Sequence, residues 1–466
     1  MDLKCLDSGF YCIQDMINFD RNIYMMTNRI LLLLSLILLT LSCRPEQSVS
    51  LPVVNTDFAT EITDNSAKSG GNVISDGGTE ITAKGVCWNT TGNPALTDFN
   101  TNEGQGSGSF TSNLTGLTEG TKYFVKAYAT NSAGTSFGEE IDFTTLTKSD
   151  GQIIADHSVV DRYDDIPAAY LNEVKKMWVS IAGESHSQAY RAGLLLLESL
   201  NSAYSVSVLE SGTPEPYTTS HLRFSGATWG DKDNSSGWIY SYGEEDWYTN
   251  STAISRTKAG LLYCRNNGPA LTALGFGWCW DATWQNDVGG SYDPVYHTRW
   301  AGASMGGPEG NLRWGLDAED KALTGNSVCM DTYINATQSY IDYCAANNIP
   351  TKIIWTTGPV DNENNWAIGE SGYQQYLKWE YLRNHVWSLS EAYFFDYADI
   401  LSYNDAGVQA TTTWTDNSGT LRTFPIISPE NMTSLDPNYH IGTNGAIKLA
   451  KAMWWLLARM AGWDGK

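Results

Sequence analysis

Lys176-Met-Trp-Val-Ser-Ile-Ala-Gly-Glu-Ser-His186 is a short apolar run that breaks at Gly183 and delivers Ser185 into the helical pattern Ser187–Leu200. An apolar run of this length ending at a glycine reads as a buried strand. A serine at the strand-to-helix turn presents its hydroxyl, and the helix N-terminus beside it favours developing negative charge. An unactivated hydroxyl is a poor nucleophile near neutral pH, so the turn needs a base. Near the other end of the chain, Asp436-Pro-Asn-Tyr-His440 leads through Ile-Gly-Thr-Asn-Gly445 into the amphipathic helix Ala446–Ala461. A histidine held there, at the mouth of the same sheet, is a group that changes charge in the right range.

Between these segments strand-like and helix-like runs alternate, the pattern of an α/β domain with a mainly parallel sheet. The strands expected are Met177–Ala182, Ser205–Leu209, Ala270–Phe276, Lys352–Thr357 and Ala392–Tyr397. The helices are Ser187–Leu200, Val328–Ala346, Gly372–Trp387 and Ala446–Ala461. On open α/β sheets ligands bind beyond the C-terminal strand ends. Those ends carry Glu184, Ser185 and His186, then Glu210-Ser-Gly212, Trp278-Cys-Trp280-Asp281, Asp361, and Asp396-Tyr-Ala-Asp399. Segments 213–268 and 282–325 lack clear periodicity and read as loops or small subdomains shaping a cleft.

Residues 170–462 resemble the GDSL/SGNH hydrolase family, in which a Gly-Asp-Ser block ends the first strand and an Asp and a His precede the last helix. Gly183-Glu184-Ser185 stands where the first block would be, and His440-Ile-Gly-Thr-Asn-Gly445 resembles the last. The resemblance implies a three-layer sandwich with Ser185 as nucleophile, His440 as base, Asp436 as orienting acid, and the N–H groups of Ser185 and Gly212 as oxyanion donors. Two departures stand out. Asp436 lies four residues before His440 where the family has three, and Gly275-Phe-Gly-Trp-Cys-Trp-Asp281 holds no oxyanion asparagine. The activity implied is a carbohydrate O-acyl esterase. A different class stays open: a polysaccharide hydrolase or lyase in which Glu184, Asp281, Asp361 or His440 does acid/base work. A glycan-binding surface protein without catalysis is a third reading. His186, Trp278 and Trp280 are expected to line the pocket, whereas Ser185 taken alone reads as an ordinary helix cap.

The segment 53–146 alternates polar and apolar residues with frequent Gly and Thr, as in a small β-sandwich. Leu114-Thr-Gly-Leu-Thr-Glu-Gly-Thr-Lys-Tyr-Phe-Val-Lys-Ala-Tyr128 resembles a fibronectin type III domain with Tyr123 as its tyrosine corner. Such a domain is expected to act as a spacer, joined by a linker at 147–156 to the α/β domain, 157–466. Ahead of it, the apolar run Ile30–Leu41, preceded by Arg29 and closed by Ser42-Cys43, is too short to span a membrane and has the order of a secretion signal. It resembles a bacterial lipoprotein signal, which implies export with removal of residues 1–42, lipidation at Cys43, a polar tether at 43–52 and a location at the bacterial outer membrane or cell surface, with the membrane reached only through the lipid.

The chain of 466 residues carries 29 basic against 52 acidic residues, a net charge of -23. That balance argues against nucleic-acid binding, which needs clustered Lys and Arg. Every one of the 18 tryptophans except Trp88 follows residue 150. Indole rings suit both cores and sugar faces, so the polysaccharide partner rests on composition and resemblance together. No metal or other cofactor is expected, and the absence of any Cys-x-x-Cys pair argues against a structural zinc site. Asp231-Lys-Asp-Asn-Ser-Ser-Gly237 looks like a calcium loop but has Tyr242 at position twelve, and reads as a turn. Export permits disulfides. Cys329 and Cys344, on one helix and about 22 Å apart at the usual rise, cannot pair with each other, so any bridge would use Cys264 or Cys279.

Overall fold

The computed structural model describes residues 49–60, 62, 65–145, 151–183, 185–210, 215–226, 228–229, 238–239, 246–268, 270–278, 280, 283, 288–302, 313–360, 369–434 and 440–466. Cys43, Glu184, Gly212, the 231–237 turn, Cys279, Asp281, Asp361 and Asp436 lie outside this set, as does the side chain of Ser185.

Eight strands form the first domain: β1 (Val53–Thr60), β2 (Ser66–Ser75), β3 (Ala83–Asn89), β4 (Phe99–Asn100), β5 (Gly108–Thr115), β6 (Lys122–Asn131), β7 (Gly134–Phe137) and β8 (Ile141–Thr144). They make two antiparallel sheets, β1-β2-β5 and β4-β3-β6-β7, with β8 also on β6. Alternating inward residues, among them Val86, Leu114, Val125 and Ala127, are fully covered between the sheets. The Tyr123 hydroxyl accepts a hydrogen bond from the Thr118 N–H at 2.9 Å, closing the loop that enters β6. Strand order and tyrosine corner both fit the fibronectin type III-like reading.

The second domain is built on seven strands: β9 (Gly151–Ala155), β10 (Trp178–Gly183), β11 (Val206–Leu209), β12 (Leu222–Ser225), β13 (Ala273–Gly277), β14 (Lys352–Thr356) and β15 (Glu391–Phe395). All neighbours in the order β11-β12-β10-β13-β14-β15-β9 run parallel. Parallel strands need helices on their faces, and Val179, Ile181, Ala182, Leu274, Phe276, Ile354 and Trp355 are accordingly buried. The principal helices are α1 (Ser185–Leu200), α2 (Ser251–Asn267), α3 (Met330–Ala346), α4 (Glu370–Trp387), α5 (Tyr397–Ser402) and α6 (Thr443–Met460). A hairpin, β16 (Thr411–Thr415) with β17 (Leu421–Pro425), precedes α6. Leaving β10 the chain goes to β11 and β12 on one side, then crosses to β13 on the other, so the carboxyl ends of β10 and β13 flank a topological switch point.

Two expectations need correction. Residues 151–155, assigned to the linker, are the edge strand β9, paired with β15 from Glu391↔Gly151 to Phe395↔Ala155. The segment 213–268 holds β12 and the helix α2, whose Asn250 cap accepts from Ala253 N–H at 2.8 Å. α2 is rich in Ser, Thr and Ala, so its apolar period is faint. Cys264, open to a bridge on the sequence alone, is a buried thiol, as are Cys87, Cys329 and Cys344. Among the described residues there is no disulfide, and burial pushes the Cys264 thiol up to about 12.

Candidate functional site

The strand-to-helix turn is built on close backbone approach. Gly183 ends β10 at φ +157°, and a Cβ there would meet the Gly277 carbonyl oxygen at 1.9 Å. Gly277, which ends β13, would in turn set a Cβ 2.3 Å from that of Ser187. Only glycines let the two strand ends and the first turn of α1 lie this close. The Ser187 hydroxyl donates to the Gly183 carbonyl at 2.7 Å, fixing the turn. Ser185 opens α1 at the switch point, as the sequence led us to expect.

Buried Arg191, one turn beyond Ser187, ties the strand ends together. Its guanidinium donates to the carbonyls of Ile181 at 3.2 Å and Ser187 at 3.1 Å and pairs with Glu210, just past β11, at 2.5 Å. Glu210 is thereby anchored to α1.

His440 approaches from the other end of the chain with φ +61°, a left-handed conformation that non-glycine residues adopt rarely and that clusters at functional sites. Fully buried Asn431 sets this geometry. Its amide donates to the carbonyls of Leu401 at 2.7 Å and Tyr403 at 3.0 Å, while its own carbonyl accepts from Gly442 N–H at 2.7 Å. Helix α6 then packs across α1 where Gly193 meets Ala446, with both N-termini toward the same rim of the sheet.

The two chain ends therefore meet. The rings of His186 and His440 lie 4.8 Å apart, and Trp280 stands edge-on to His186 at 4.6 Å. A small hollow lies among them, closed by Val360, Tyr397 and Ile427. Burial holds the His186 ring well below its ordinary value, and the neighbouring His440 adds to the effect, so His186 is neutral near pH 7. Of the residues named for the site, His186, Trp280 and His440 come together around the start of α1. Trp278 does not join them. It is buried, donates its indole N–H to the Thr356 carbonyl at 2.7 Å, and packs among Phe276, Tyr333 and Trp379 as a core residue. Both follow the end of β13 at Gly277, where strand alternation no longer sets side-chain direction: Trp278 turns inward to the Thr356 carbonyl, and Trp280 lies against His186.

A second polar cluster, on the same rim, was missed as a unit. Asp396, after β15, accepts from Arg383 at 2.6 and 2.9 Å and from Thr357 at 2.7 Å. His157, after β9, pairs through Nδ1 with Asp399 at 2.6 Å and stacks on Tyr403 at 3.4 Å. Burial would lower the His157 ring, but the Asp399 carboxylate outweighs it and holds the ring above its ordinary value. Asp399 is held below the usual carboxylate range by His157 and Arg383 against its own burial. The Asp396–Asp399 strand end was legible, but His157 lies 242 residues from Asp399 and no local signal links them. Asp156, His157 and Asp399 are, among the described residues, a set whose potential ligand atoms fall within 4.8 Å of one another. His157 and Asp399 are hydrogen-bonded directly to each other, and Asp156 accepts from the Ser158 N–H at 2.9 Å.

No family model and no curated protein matches the chain. Solved structures match about a fifth of it. The sensor domain of the anti-sigma factor RsgI4 of Pseudobacteroides cellulosolvens is 21% identical over 22% of this chain and 99% of its own, with a TM-score of 0.18. A computationally redesigned β-sandwich protein is 22% identical over 21% of this chain and 97% of its own, TM-score 0.17. The third fibronectin III domain of human KIAA0343 is 13% identical over 24% of this chain and 95% of its own, TM-score 0.18. These are likenesses of fold over a small part of the molecule and carry nothing about activity.

Proposed function

We propose that the second domain is an SGNH-type hydrolase acting as an O-acyl esterase on polysaccharide. The observation that supports this most is the 4.8 Å contact of His186 with His440, which sets the histidine of the final helix beside the residue following Ser185 at the switch point of the sheet. In this reading Ser185 attacks the ester carbonyl while His440 takes its proton. The tetrahedral oxyanion is held by the N–H groups of Ser185 and Gly212 and by the N-terminus of α1. Collapse expels the alcohol of the sugar, which receives the proton back from His440, and a water activated by the same ring releases the acid. Asp436 orients the imidazole, and neutral His186 with Trp280 forms the pocket wall. Lipidation at Cys43 would place this activity at a cell surface.

A fluorophosphonate probe tests the mechanism. It is expected to label the wild-type protein and to fail on Ser185→Ala and His440→Ala. Folded Ser185→Ala that still turns over its polysaccharide at the wild-type rate would overturn the esterase reading and point to Glu184, Asp281, Asp361 and His440 as acid/base groups.

A further inference from the structure

The two domains are joined by more than a chain segment. The Lys68 ammonium on β2 donates to the Tyr376 hydroxyl at 3.3 Å and to the Thr423 carbonyl at 3.2 Å, and lies 4.8 Å from the Tyr376 ring centroid. Beside this contact a cleft of about 450 Å³ opens between the β2–β5 face of the sandwich and the rim of the parallel sheet. That volume is in the range, about 300–1,000 Å³, of small-molecule sites.

The charges on its walls are satisfied within the protein. Arg383 is paired with Asp396 and Glu380, and His157 with Asp399. Two further charges line it: Lys68, whose ammonium donates to the Tyr376 hydroxyl and the Thr423 carbonyl, and Asp156, whose carboxylate accepts from the Ser158 N–H and hydroxyl. The other polar groups facing the cleft are neutral: Asn113 and Thr115, both exposed on β5, with Gln409 and Thr411 opposite, and the half-buried rings of Trp387 and Tyr403. Amides and hydroxyls beside aromatic rings suit a ligand that offers many hydroxyls and apolar ring faces but no charge. Position adds to the argument. His157 follows β9 and Ser185 follows β10 on the same rim, separated by four interstrand steps of about 4.8 Å, about 19 Å in all. A polymer lying along the rim would touch both places.

We infer that this inter-domain cleft is a second binding site, for a neutral oligosaccharide, completed by the first domain; the inference rests on the polysaccharide reading above. The cleft holds the chain while the Ser185 site works on a neighbouring unit.

The test is calorimetric titration of the protein from residue 43 onward, carrying Ser185→Ala, with xylohexaose, mannohexaose and cellohexaose as probes. At least one should bind, and Asn113→Trp and Thr115→Trp, which fill the cleft from exposed strand positions, should each weaken it tenfold or more. In the Ser185 background the same two variants should hydrolyse p-nitrophenyl acetate at the parental rate. Unchanged affinity in both tryptophan variants, absence of binding by all three hexaoses, or binding of anionic polygalacturonate alone would overturn the inference. If hexaose binding behaves as expected while Ser185→Ala retains full turnover, the esterase reading fails and the cleft stands. If Ser185→Ala is inactive and no hexaose binds, the cleft fails alone.

Discussion

Gly193 and Ala446 touch backbone to side-chain position: a Cβ on Gly193 would lie 1.9 Å from the Ala446 carbonyl oxygen. A backbone carbonyl inside a helix cannot swing aside, so Gly193→Ala must push α1 and α6 apart. Overpacking of this kind costs about 1–3 kcal/mol, measurable by urea denaturation. Because His440 and Ser185 ride on the N-terminal ends of these helices, fluorophosphonate labelling should slow as well, even where the variant remains folded.

The two neighbouring tryptophans should behave differently. Trp278→Phe leaves the buried Thr356 carbonyl without its donor and is expected to cost about 1–3 kcal/mol of stability with KM unchanged. Trp280→Phe alters the wall of the hollow beside His186 and should change KM with a smaller loss of stability. Steady-state kinetics with thermal melts separates the two effects.

Arg383 and Asp396 form a bidentate pair with little exposure, 14% and 6%. Removing one partner strands a buried charge, so Arg383→Met should lose about 3–5 kcal/mol, and the double variant with Asp396→Leu should recover part of it. A double-mutant cycle in denaturant gives the coupling directly.

Stability should depend on pH through His157. Its folded value is raised, so the protonated ring is preferred in the native state. The contribution is complete below the ordinary histidine value of 6.5 and is lost as pH rises through the raised folded value. Asp399 acts in the opposite direction, contributing above the ordinary value of 3.8 and losing that contribution as pH falls through its lowered folded value. Melting temperature against pH should therefore slope downward on the alkaline side in the wild type and flatten there in His157→Gln.

Asp320 has the reverse sign for a carboxylate. Burial, with Asp293 against it, pushes it up to about 6. The native state then keeps a proton that the unfolded chain has released, so this locus loses stability as pH climbs from about 4 to 6. Asp320→Asn keeps an acceptor for the Leu316 N–H and should be more stable than the wild type at pH 7, with that slope gone.

The elements that could be read from the chain were those whose local pattern and tertiary role agree. β10, β13 and β14 are short, mostly apolar runs because parallel strands are buried on both faces, and α6 carries a strong apolar stripe because it packs across the sheet and α1. The turn at Ser185 and the approach of His440 could be placed through the glycines beside them, which the structure uses for close approach. β9 was hidden because five residues with one glycine resemble a linker, and β12 because its Arg223 is buried and spends its guanidinium on the carbonyls of Lys176 and Glu215. Trp278 misled because residue type does not reveal which face of a strand end it occupies. The His157–Asp399 pair joins opposite ends of the domain, and only the β9–β15 pairing makes them neighbours.

β9 gives the molecule a mechanical order. It is the outermost strand of the sheet and the first part of the second domain that follows the sandwich in the chain. Tension arriving from the N-terminal side passes through the sandwich and is borne next by the β9–β15 ladder, ahead of β10 and the Ser185 turn. Peeling β9 away would withdraw His157 from Asp399 while the switch point remained intact. A pull that had first broken the Lys68 contact between the domains would thus reach the edge of the sheet before its centre.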